Sequence, residues 1–141
     1  MIDDTCHLKK LIILDDEPAM VSSLMRKFQT EGCEYNLKGF TSAQKALTEL
    51  EKGDCLAFIT DLMMPDVTGD KLVEYIHEIK PTQACIVMTG YATRDSVSRI
   101  AKVGNTAEVL AKPIVFERLL KTLDSLEAVN TEHSITDNSC Q

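Results

Sequence analysis

The chain has 141 residues, 44% apolar and 26% charged, a balance that suits one globular domain with its own core and excludes a disordered polymer. Fifteen basic against twenty-two acidic side chains leave a net charge of −7, so a phosphate backbone is repelled on average and direct nucleic-acid binding is not expected. No apolar run is long enough to span a bilayer, and MIDDTCHLKK lacks the layout of a signal peptide, so neither membrane insertion nor secretion is expected.

Residues 1–9 read as an N-terminal extension, and the pattern begins at residue 10. The first strand is expected at 11–14, the apolar run LIIL, followed by a helical stripe of Met20, Val21, Leu24, Met25 and Phe28. A second strand at 35–40 precedes the stripe Ala43, Ala46, Leu47 and Leu50, with Thr41 and Gln44 reading as a capping box. A third strand at 56–60 leads to Leu72, Val73, Ile76 and Ile79, with Thr68 at the N-cap. A fourth at 84–88 leads to Val97, Ile100 and Ala101, with Thr93 at the N-cap. A fifth at 107–111 leads to Phe116, Leu119, Leu120, Leu123 and Leu126. Residues 128–141 carry no apolar period and are expected to be a disordered tail or linker. Continuous runs such as LIIL and CIVM suit strands buried on both faces of a parallel sheet. Strict alternation of strand and helix therefore predicts an α/β fold, an open, doubly wound parallel sheet.

Cys6, Cys33, Cys55, Cys85 and Cys140 are odd in number and form no CxxC pair, which suits reduced thiols in a cytoplasmic protein. His7, His77 and His133 form no metal-binding cluster in sequence and read as surface or half-buried residues.

In an open parallel sheet, ligands collect beyond the carboxyl ends of the strands. Here the first strand runs into Asp15-Asp16-Glu17-Pro18, the third into Asp61-Leu62-Met63-Met64-Pro65, the fourth into Thr89-Gly90 and the fifth into Lys112-Pro113. Singly, each has a structural reading: Asp16 as a helix cap, Asp61 as a turn aspartate, Thr89 as a strand end, Lys112 as a surface lysine. Together they set three carboxylates, a hydroxyl and an ammonium along one edge. Three converging carboxylates repel one another unless a cation sits among them, and hard oxygen donors with room for water suit Mg²⁺. The lysine then serves as a point charge for a phosphoryl oxygen and the threonine hydroxyl as a donor to another.

The segments LIILDDEP, FITDLMMPDVTG, IVMTGY and VLAKPI resemble the receiver domain of two-component response regulators over residues 10–127. Asp16, Asp61, Thr89 and Lys112 follow one another at the usual separations of 45, 28 and 23 residues. The resemblance implies a flavodoxin-like fold with strand order 2-1-3-4-5. It also implies phosphoryl transfer to Asp61 from the phosphohistidine of a sensor histidine kinase or a histidine phosphotransfer protein. Asp16, Asp61 and the Met63 carbonyl would bind Mg²⁺ directly, and Asp15 through water. Lys112 would pair with the phosphoryl group, Thr89 would turn to it, and the Lys112–Pro113 bond would be cis. The residues two beyond the aspartate and the threonine, Met63 and Tyr91, would flank the path of the hydrolytic water. No turnover of an outside substrate is implied. No helix-turn-helix, cyclase or hydrolase signature follows residue 127, so the output would lie with an unknown protein or domain.

One position departs from the family pattern. Three residues before the lysine, where an aromatic ring usually swings between inside and outside, stands Val109. Gly104 follows the pattern, while Asn105 replaces the common alanine. Among rival readings, a haloacid dehalogenase-type phosphatase wants an acid two residues beyond the nucleophile, where Met63 stands. A flavin binder wants an uncharged, donor-rich first loop, and DDEP supplies carboxylates. A pseudo-receiver would lack the acidic pair, the aspartate or the lysine, and all are present.

Overall fold

A computed structural model describes residues 8–139, with side chains through residue 129; Cys6, His7 and Cys140 fall outside that range, as does the side chain of His133. The elements alternate as expected: β1 (Lys10–Leu14), α1 (Pro18–Thr30), β2 (Asn36–Phe40), α2 (Ala43–Glu51), β3 (Ala57–Asp61), α3 (Gly69–Ile79), β4 (Cys85–Thr89), α4 (Arg94–Ala101), β5 (Thr106–Ala111) and α5 (Phe116–Ser139). All strand pairs are parallel, in the order β2-β1-β3-β4-β5, which is the flavodoxin-like arrangement.

Successive side chains of a strand point to opposite faces, and two cores follow from that alternation. Ile12, Leu14, Phe58, Cys85, Val87 and Val109 face Ala46, Leu50, Leu72, Val73, Ile76 and Ile100 from α2, α3 and α4. Leu11, Ile13, Ala57, Ile59, Ile86, Met88 and Leu110 face Val21, Phe28, Leu119 and Leu123 from α1 and α5. β3 and β4 are buried along their whole length, as their unbroken apolar runs required. The Phe28 and Phe116 rings meet edge to face, centroids 4.9 Å apart, and tie α1 to the start of α5.

Three local expectations are corrected. The cap of α2 is Ser42, whose hydroxyl accepts from the Lys45 N–H at 3.3 Å, because the helix starts one residue later than a Thr41 cap allows. α1 is entered through Glu17 with Pro18 in its first turn, and no side chain, Asp16 included, caps it. The last helix does not stop near 127: α5 continues to Ser139. No Gly or Pro interrupts residues 116–141, and extending a formed helix costs far less than nucleating one, so an apolar period is not required for the helix to run on. Thr68 stands at the N-cap of α3 without making the cap bond, whereas Thr93 and Ser96 form a full capping box on α4.

Candidate functional site

The strand ends deliver the singled-out residues to one edge, and the ladder hydrogen bonds continue one residue further to hold them there. Asp15 N–H donates to the Phe40 carbonyl at 3.2 Å, Leu62 N–H to Met88 at 2.8 Å, and Lys112 N–H to Thr89 at 2.8 Å. Asp61 is the last residue of β3, opposite Met88, and Thr89 is the last of β4, opposite Ala111. The Lys112–Pro113 peptide bond is cis.

Asp15, Asp16 and Asp61 form an acidic cluster, one carboxylate oxygen of each within 4.8 Å of the others. Asp15 is 1% exposed and Asp61 is buried, while Asp16 is open to solvent. The Lys112 ammonium bridges the two buried ones, 2.9 Å from Asp15 Oδ2 and 3.1 Å from Asp61 Oδ1. Asp15 Oδ1 also accepts from the Glu17 N–H at 3.0 Å, which uses both of its oxygens. Burial pushes the Asp61 carboxyl above the ordinary aspartate range; the charges of Asp15 and Asp16 add to that, and Lys112 opposes it only in part. Burial alone would lower the Lys112 ammonium, but its hydrogen bonds and charge contacts with Asp15 and Asp61 hold it above the usual lysine range. One ammonium thus stands against three carboxylates, and two negative charges are left uncompensated. Such a cluster fits a hard divalent cation.

Thr89 is fully buried, and its hydroxyl oxygen accepts from the Tyr91 N–H at 3.0 Å. Met63, two residues past Asp61, and Tyr91, two past Thr89, are 57% and 74% exposed. Met64 packs against the α2–α4 core instead. The exposed His77 is no part of the cluster; its Cβ lies under Gly104, where a glycine Cβ would come within 3.1 Å of it at a φ of +51°. Val109 is buried beside Val87 on the face that carries Thr89, a core residue with no ring to move.

Gly69, the last residue of the segment FITDLMMPDVTG, has no role that the sequence pattern announces. Its N–H donates to the Leu62 carbonyl at 2.7 Å, and a Cβ there would stand 2.6 Å from the Asp61 carbonyl oxygen and 2.9 Å from Leu62 Cα. These are backbone atoms, so nothing can rotate aside. Gly69→Ala should lose about 2 kcal/mol of stability, on the scale of core overpacking, and displace the Asp61 backbone. Urea unfolding checks the first effect; an unchanged midpoint would show that the loop has room. The sequence signal was a glycine directly after an N-cap threonine, where helix propensity prefers almost anything else.

The model of the response regulator receiver domain family matches residues 11–124. The chain belongs to that family. Among relatives of this receiver domain, the photosynthetic apparatus regulatory protein RegA of Rhodobacter capsulatus is 30% identical over 105 residues, 74% of this chain and 55% of its own. The response regulator receiver protein Anae109_2439 of Anaeromyxobacter is 29% identical over 95% of this chain and 58% of its own. The chain therefore spans a little over half the length of these two relatives. The crystal structure of a CheY-like receiver domain from Methanospirillum hungatei superposes with a TM-score of 0.73 at 26% identity, covering 86% of this chain and 98% of that one. Receiver domains as a family are phosphorylated on aspartate and work with histidine kinases and output domains. Among the described residues, no helix is long and apolar enough to cross a membrane.

Proposed function

We propose that residues 10–127 act as the phosphoacceptor unit of a cytoplasmic two-component phosphorelay, with Asp61 taking the phosphoryl group from a histidine kinase or histidine phosphotransfer protein. The observation that carries this reading is the single ammonium, Lys112, held between two buried carboxylates in a cluster that remains electron-rich. In the reaction an Asp61 oxygen attacks phosphorus in line, the P–N bond to the donor imidazole breaks, and the imidazole leaves with the electron pair. As negative charge passes from the carboxylate to the phosphoryl oxygens, Lys112 follows it by exchanging its Asp61 contact for one to phosphoryl. The Thr89 hydroxyl donates to a second oxygen, and Asp15 keeps the ammonium aimed.

Asp16, Asp61 and the Met63 carbonyl would hold Mg²⁺ directly and Asp15 through water, all hard oxygen donors. When bound, the ion supplies positive charge to the acidic cluster and to the phosphoryl oxygens. Turnover of an outside substrate is not part of the reading, because the exposed thioether of Met63 can neither give nor take a proton.

The test is incubation with phosphoramidate and Mg²⁺. Acid-stable, alkali-labile phosphate should be incorporated and should vanish when a chelator removes the metal. Asp16→Ala should abolish incorporation while folding at least as stably in metal-free buffer, since one of three repelling charges is gone. Incorporation that survives chelation or the Asp16 substitution would overturn the metal assignment.

The lifetime of the phosphoryl group should be long. The Met63 thioether cannot orient a water in line, and in this reading the exposed Tyr91 ring would screen the approach. Met63→Asn with Tyr91→Glu should speed dephosphorylation by about tenfold or more, the scale of one well-placed hydrogen bond. If decay of the labelled protein is no faster in that double variant, the lifetime is set by another feature.

A further inference from the structure

Helix α1 and the start of α5 are tied together by aromatic contacts. Phe28 and Phe116 meet edge to face, and the Lys27 ammonium lies 5.8 Å from the centroid of the same Phe116 ring. Beside this tie, α1 and the chain entering α5 leave a cavity of about 430 Å³ between them. Ile13 and Met88, both buried in the sheet, form its floor. Met20 and Leu24 of α1 form one wall and Ile114 the other, all three half-buried. An apolar hollow of this volume lies within the range of small-molecule sites, about 300–1,000 Å³.

The polar groups around the cavity are unequally engaged. Asp15 borders it, but its charge is already answered by Lys112 and the Glu17 N–H. Lys27 is shared between Glu31, 3.1 Å away, and the Phe116 ring. Arg26 is exposed at the mouth and makes no ion pair among the described residues. Ser23, three residues earlier and so on the same helix face, adds a hydroxyl beside it. An apolar hollow under an uncommitted guanidinium selects a ligand with a hydrocarbon body and one negative end. A helix from a partner protein would need a continuous groove for anchors a turn or more apart, and here the Lys27–Phe116 contact joins the two walls.

We propose that the cavity between α1 and the chain entering α5 binds a small organic anion with an apolar body, of the aryl-alkyl carboxylate type. The hydrocarbon part lies over Ile13 and Met88, between Leu24 and Ile114, where it leaves water. The carboxylate meets the Arg26 guanidinium at the mouth, and the Ser23 hydroxyl donates to it. Of the acidic cluster the cavity touches Asp15 alone, and neither Thr89 nor Lys112 lines it. Binding there is therefore independent of the phosphoacceptor reading.

Titration of the full chain with phenylbutyrate, followed by methyl NMR, provides the test. Saturable shifts should appear at the methyl groups of Met20, Leu24, Met88 and Ile114, with a Kd of about 1 mM or tighter for a ligand of that size. The neutral phenylbutyramide should bind more weakly. Arg26→Gln should weaken phenylbutyrate about fivefold, the scale of one exposed ion pair, and leave the amide unchanged. Ser23→Trp, at an exposed position where the indole would lie across the mouth, should abolish binding of both while the unfolding midpoint stays near wild type. Absence of saturable shifts at these methyls, equal affinity for acid and amide in wild type, or undiminished binding in Ser23→Trp overturns the proposal. Shifts of the same methyls on concentrating the protein alone would assign the cavity to a second copy of the chain and overturn it as well. So would an amphipathic helical peptide that shifts them where phenylbutyrate does not. None of these outcomes bears on the assignment of Asp61.

Discussion

Asp61→Asn is expected to take up no phosphate from phosphoramidate or from a cognate kinase, with labelling at background. The amide is nearly isosteric and its oxygen can still accept from Lys112, so the fold and the cluster geometry should persist while the nucleophile is lost. The stability change has a definite sign. Burial and the neighbouring carboxylates raise the folded-state pKa of Asp61, so above its ordinary unfolded value the ionised group costs stability rather than adding it. A neutral amide relieves that cost, and the variant should unfold at an equal or higher denaturant concentration at pH 7 in metal-free buffer. Labelling of the Asn variant at the wild-type level would overturn the assignment of Asp61.

Lys112→Met should be the most damaging substitution to the fold among the site residues. It leaves the Asp15 carboxylate, 1% exposed, without its counter-charge and brings Asp15 and Asp61 into unopposed repulsion. Removing one partner of a buried ion pair costs about 3–5 kcal/mol, and the residual Glu17 N–H bond to Asp15 places the expectation near about 3 kcal/mol. Methionine keeps the length of the stem, so little of that loss is packing. Mg²⁺ should recover part of it by mass action, and should raise the unfolding midpoint of the variant more than that of wild type. Phosphate uptake should fall steeply even in saturating Mg²⁺, because no ammonium then meets the charge on the phosphoryl oxygens. A stability loss below about 1 kcal/mol in metal-free buffer would show that the bridge is solvent-screened and contributes little.

Both effects depend on charges that the structure places together, and the two levels of description divide along that line. The alternation of elements was readable because each strand of a parallel sheet covered on both sides must be apolar along its length, as in LIIL and CIVM, and each helix must carry one apolar stripe. The convergence of Asp15, Asp61, Thr89 and Lys112 was readable for a topological reason: parallel strands end on the same edge, so chemistry at their carboxyl ends is brought together whatever the loops do. The single-residue slip of the α2 cap from Thr41 to Ser42 was not readable, because adjacent hydroxyls offer nearly the same cap and only the chain's path selects one. The run of α5 to Ser139 escaped the pattern because apolar periodicity reports packing, and a helix can outlast the surface it packs on.

What the sequence determined by itself is the α/β alternation, through local periodicity, and the roster of the site, through strand ends, while the strand order followed only from the family resemblance. Only the tertiary structure decided that Lys112 spans Asp15 and Asp61 at once and that Gly69 lies against the Asp61 backbone. Each of these is a distance of a few ångströms between groups that the pattern of apolar residues does not encode. Polar contacts of this kind are set by where backbones finally come to rest, and that is fixed by the packing of two cores against one sheet.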